Sequence, residues 1–182
     1  MLANFLTAWF TFPVMAHVTV PNRPALVGAL KDAIKEQRAG RLDAAEAGYR
    51  RVLAADAGNA NANHLLGRIL IDAKRAKQAL PFLRRATKAA PKSAQFLASL
   101  SEACRLAGRV KEEAAAIEAA LKLAPKQSVL LHRLCSALIK LNRYEDVISA
   151  AGRALEIEPD SALAYNNQGV AQCLTSAPME QT

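Results

Sequence analysis

Histidine and cysteine are the side chains best suited to ligate a metal or to serve as base and nucleophile near neutral pH, and this 182-residue chain holds three of each. His64 and His132 lie 68 residues apart inside apolar runs, and no two of Cys104, Cys135 and Cys173 are spaced as CxxC. The chain has no phosphate-cradling glycine loop, no GxSxG and no HExxH. Three thiols are too few for a disulfide framework and are compatible with a reducing compartment. Cys104 and Cys135 read as small core residues, and Cys173 lies near the end of the chain. The chain is therefore read as non-enzymatic, with no catalytic residue, no metal and no cofactor.

Charge is the remaining chemistry. The chain carries 24 Lys and Arg against 16 Asp and Glu, a net charge of +8. From Ala60 to Lys92 a cluster comprising Lys74, Arg75, Lys77, Arg84, Arg85 and Lys88, with Arg68 and Lys92, meets the single acid Asp72, a balance of +7. The rest of the chain is close to neutral. A basic patch can steer an acidic partner, a lipid surface or nucleic acid, but its plainer reading is a solvated outer face. Only Phe82 interleaves with these charges, so base stacking has little to work with and nucleic acid is not the expected partner.

The elements that must position these side chains follow from a repeat. Of a 52% hydrophobic content, 39 residues are alanine, which favours helices packed closely together. Pro91, Pro125 and Pro159 are spaced by 34 residues. The same interval relates Gly40, Lys74, Gly108 and Asn142 in short polar breaks, and the small residues Gly67, Ser101, Cys135 and Gly169. It also relates the apolar sets Tyr49, Leu83, Ile117, Ala151 and Val52, Ala86, Ala120, Ala154. Each unit reads as two helices of about 14 residues, apolar at intervals of 3, 4 and 7. The break residues, mostly Gly or Asn, suit a left-handed helix end. Asn59, Ser93 and Ser161 suit N-caps, Gln127 being the weak member of that column. The small column lets the first helix of a pair approach the second closely.

These residues resemble the tetratricopeptide repeat family. The best matches are Asn63-His64-Leu65-Leu66-Gly67 with Ala79 and Pro91 downstream, Arg143 to Val147 running to Ala154, Leu155 and Pro159, and Tyr165 to Gly169. The resemblance is to the bacterial-type proteins of the family and implies an all-α, right-handed α-solenoid of antiparallel helix pairs, about four and a half units long. The expected organisation is an apolar extension at 1–24, an array at 25–174 (units 25–59, 60–93, 94–127 and 128–161, and a capping helix at 162–174) and a polar tail at 175–182. Ala57 stands where the proline would, Asp32 where a leucine would and Glu113 where a small apolar residue would, so the first and third pairs are expected to pack less regularly.

In such a solenoid the first helices line a concave groove that takes an extended peptide or a partner helix. Groove positions implied by the resemblance are His64, Arg68, Gln95, Ser99, Glu102, Arg105, His132, Arg133, Lys140 and Asn167, with Asn61, Asp72, Ser136 and Asn166 beside them. Arg68, Arg105, Arg133 and Lys140 are the expected anchors for acidic groups. The two histidines share a column two repeats apart, roughly 20 Å at about 10 Å per packed helix, too far for one metal. The carboxylate clamp of chaperone-binding members is not expected, since Leu30 and Ile34 hold its positions; the asparagine ladder of sugar-transferase members keeps Asn167 but has Leu65, Ser99 and Arg133 in its column.

The first 22 residues differ from the array: Trp9, Phe5, Phe10 and Phe12 fall within the first 12, and no charge precedes Arg23. Three readings stand: an export signal or anchor, a hydrophobic extension packed on the first pair, and a true start at Met15, which is preferred. The protein is accordingly expected in the cytoplasm, and at or across a membrane only if residues 1–20 are a genuine signal or anchor. In the fifth unit Gln168 and Gln172 replace the leucine and aromatic columns, as a capping helix with a wet outer side requires. The functional expectation is an adaptor or scaffold that binds another protein, with an acidic character suggested for the bound segment. The alternative is the substrate-selecting region of a bacterial glycosyl- or sulfotransferase whose catalytic domain is encoded elsewhere, suggested by the run Ala39-Gly40-Arg41-Leu42-Asp43-Ala44-Ala45-Glu46.

Overall fold

A computed structural model describes residues 23–176, and these form nine α-helices joined by short turns. They are α1 (Arg23–Arg38), α2 (Leu42–Ala55), α3 (Ala60–Asp72), α4 (Ala76–Ala89), α5 (Ala94–Leu106), α6 (Val110–Leu123), α7 (Ser128–Lys140), α8 (Tyr144–Ile157) and α9 (Ala162–Ser176). Each helix packs on the next, and α3 also touches α5 as α7 touches α9, so first helices of successive pairs lie side by side. The fold is an all-α solenoid of antiparallel helix pairs. The aromatic segment at 1–22, with the three readings attached to it, and residues 177–182 lie outside the described residues. Among the described residues no helix is long and apolar enough to cross a membrane.

The turn inside each pair reverses the chain at one left-handed residue. Gly40, Lys74, Gly108 and Asn142 have φ of +76°, +61°, +73° and +57°. Glycine meets that geometry without strain, asparagine with little, and lysine at a cost. Between pairs the caps form where a short polar side chain is available. The Asn59 side chain accepts from the Ala62 amide at 3.0 Å, Ser93 from Phe96 at 3.3 Å and Ser161 from Ala164 at 3.4 Å. Gln127 makes no such bond, because its longer side chain cannot fold back over its own helix start.

Small residues bring the two helices of a pair together. A Cβ added to Gly67 would stand 2.5 Å from Leu83 Cγ, and one added to Gly48 would stand 2.7 Å from Ala33 Cβ. The less regular packing expected of the first and third pairs is not observed; both pack as closely as the second. Asp32 projects into solvent and leaves the contact to buried Ala33. Glu113 is buried, with Arg133 of α7 at 3.9 Å from its carboxylate. Where Ala57 replaces proline, the Asn63 amide donates at 2.9 Å to the carbonyls of both Ala57 and Asn59 and closes the loop.

Candidate functional site

The side chains assigned to the groove fall into three groups by exposure, Glu102, His132 and Arg133 being half-buried. Asn61, Arg68, Asp72, Gln95, Arg105, Ser136, Lys140 and Asn166 are exposed on the first helices. His64, Ser99 and Asn167 are not groove surface, being only 5%, 6% and 5% exposed. His64 stacks on Phe96 with ring centroids 4.3 Å apart, and its Nε2 lies 2.9 Å from Ser99 Oγ, so it joins α3 to α5. Burial, with Arg68 nearby, pushes its pKa down to about 4, so the imidazole is neutral at pH 7. Asn167 Nδ2 is buried and has no hydrogen-bond partner among the described residues.

Glu102, Arg105 and Arg133 form one network. Arg105 donates to Glu102 at 2.6 Å, and Arg133 reaches Glu102 at 3.1 Å and Ser101 Oγ at 3.1 Å. The bond from Arg105 holds the Glu102 carboxyl below the usual range, while burial raises that of Glu113 beneath it. Of the four expected anchors, Arg105 and Arg133 thus already have a carboxylate, which a ligand would have to displace. Arg68 and Lys140 have no ion-pair partner within 4.0 Å among the described residues. His132 has its Nε2 3.3 Å from Ser161 Oγ and 3.9 Å from Glu158, which ties α7 to the start of α9.

The basic second pair is partly neutralised. Arg75 pairs with Glu46 at 2.9 Å and Arg84 with Glu112, whereas Arg85 lies 5.9 Å over the Phe82 ring. Lys74, Lys77 and Lys88 are exposed. Arg75 and Arg84 thereby tie the second pair to its neighbours through α2 and α6. Cys104 and Cys135 are fully buried and their thiols are pushed up to about 11 by desolvation, so they pack rather than react; Cys173 is exposed.

Sequence reasoning missed the apolar side chains that share columns with the expected groove positions. Val129 and Leu163 occupy the column of Asn61 and Gln95 at the same 34-residue interval, and Val170 that of Arg68, Glu102 and Ser136. Val129 is 69% exposed, Leu163 52%, Leu174 43% and Val170 38%, too much for core residues. Extending the columns of Asn61 and Arg68 by 34-residue steps would have found Val129, Leu163 and Val170.

With this geometry in hand, comparison with known proteins gives a consistent result. The tetratricopeptide repeat family matches over residues 37–103. No curated protein sequence is a significant match. Among solved structures, that of YrrB, described as a tetratricopeptide-repeat protein with an unusual peptide-binding site, superposes with a TM-score of 0.78 at 18% identity, covering 85% of this chain and 79% of that one. MamA superposes with a TM-score of 0.76 at 20% identity over 84% of each chain. A MamA fragment from Desulfovibrio magneticus RS-1 gives 0.66 at 20% identity, over 75% of this chain and 77% of that one. At these identities the likeness shows the fold.

Proposed function

We propose, from the premise that this chain is a tetratricopeptide-repeat protein, that it is a non-catalytic interaction module which binds a segment of another protein along its first helices. The observation carrying this reading is the face itself: α3, α5, α7 and α9 present Arg68, Gln95, Arg105, Ser136, Lys140 and Asn166 to solvent, side chains that make hydrogen bonds and charge contacts to a polypeptide. Arg68 and Lys140, the two of the four expected anchors with no ion-pair partner among the described residues, are the anchors for acidic groups. That YrrB is described as having a peptide-binding site supports this use of the fold. A reducing compartment such as the cytoplasm suits the three unpaired thiols.

The test is affinity purification from the native cell with the unaltered chain and with Arg68→Glu and Lys140→Glu. Both substitutions are on exposed sites and should leave the fold intact while reducing recovery of the partner at least tenfold. Undiminished recovery with both variants would remove the groove as the binding face.

A further inference from the structure

Along two groove columns the side chains change from polar on α3 and α5 to apolar on α9: Asn61 and Gln95 give way to Leu163, and Arg68 and Glu102 to Val170. Leu163, Val170 and Leu174 stand at i, i+7 and i+11, one stripe about 16 Å long on α9. Val129 lies beside the stripe on the touching helix α7. The fifteen residues of α9 include no Asp, Glu, Lys or Arg. Lys140, without an ion-pair partner, borders this patch in the column of Leu174, and Arg68 lies two first helices further along, roughly 20 Å from α7.

We propose that the α7 and α9 end of the groove is an apolar subsite and that its occupant is an acidic amphipathic segment of a partner protein. Its aliphatic or aromatic side chains cover Val129, Leu163, Val170 and Leu174, and its carboxylates reach Lys140 and Arg68. This rests on the groove-binding reading above. From α9 to α3 is about 30 Å, some nine residues of extended chain. Charge selects this occupant over two others. A second copy would bring a further +8 to unneutralised cations, and residues 1–22, which carry no charge, would leave those cations unmatched.

The probe is a random 14-residue peptide library displayed on phage and selected against the full chain, with enriched peptides then synthesised and titrated by fluorescence anisotropy. Enriched peptides should carry Leu, Ile, Phe or Trp towards one end and Asp or Glu towards the other. Val129→Lys, at the most exposed site, and Leu163→Asp should each raise Kd at least tenfold with unchanged circular dichroism, and Arg68→Glu should do so through the acidic end. Peptides lost with Arg68→Glu and Lys140→Glu but indifferent to Val129→Lys and Leu163→Asp would overturn the apolar subsite and leave groove binding standing. Peptides indifferent to all four substitutions, or no enrichment, would overturn both. A synthetic 1–22 peptide binding with the same dependence, or self-association abolished by Val129→Lys, would assign the patch to the chain itself and overturn the proposed partner.

Discussion

Lys74 occupies a left-handed turn position, φ +61°, that Gly40 and Gly108 hold elsewhere in the array. Because an L-residue with a Cβ is strained there, Lys74→Gly should raise stability by about 1 kcal/mol in urea unfolding, and Gly108→Lys should lower it by a similar amount. Gly67 presents the opposite constraint. With Leu83 where its Cβ would go, Gly67→Ala should cost about 1–3 kcal/mol through forced separation of α3 and α4. His64 makes stability depend on pH. Its folded pKa, about 4, lies below the ordinary 6.5, so its neutral burial contributes fully above pH 6.5 and is lost as pH falls from 6.5 towards 4. The loss is on the order of 3 kcal/mol when complete. Glu113 runs the other way, since its raised pKa costs stability once it ionises. Unfolding free energies at pH 7, 6 and 5 should therefore decline for the native chain, and the decline should be smaller for His64→Gln.

At the scale of the element, Pro81 sits inside α4, exposed, where it removes the amide that would donate to Lys77 and crowds that carbonyl. Pro81→Ala should raise the melting temperature, with a gain of up to about 3 kcal/mol, because no packing is lost at a solvent-facing site. The helices and turns were legible in the sequence because a 34-residue interval averages over individual side chains: the four turn residues adopt one backbone geometry, and Asn59, Ser93 and Ser161 cap while Gln127 does not. The groove was legible as a set of columns but not as a surface. Whether His64 faces solvent is decided by Phe96 and Ser99 on the next helix, a contact between repeats that no interval within one repeat encodes. Asp32 and Glu113 likewise looked disruptive alone, but Asp32 turns outward and Glu113 is set near Arg133, where its burial costs stability on ionisation without parting the helices.

For the whole molecule, the net charge of +8 does not map onto one binding face. In the basic second pair Arg75 and Arg84 are held by Glu46 and Glu112 and Arg85 lies over the Phe82 ring, whereas Arg68 on α3 and Lys140 on α7 have no ion-pair partner among the described residues. Partner recognition is therefore expected to weaken with salt only modestly, through Arg68 and Lys140, while the apolar end on α7 and α9 keeps its contribution. The most direct test is hydrogen–deuterium exchange of the full chain with and without its purified partner. Protection on binding is expected along α3, α5, α7 and α9; protection confined to α2, α4, α6 and α8, on the opposite face, would contradict a groove-binding role.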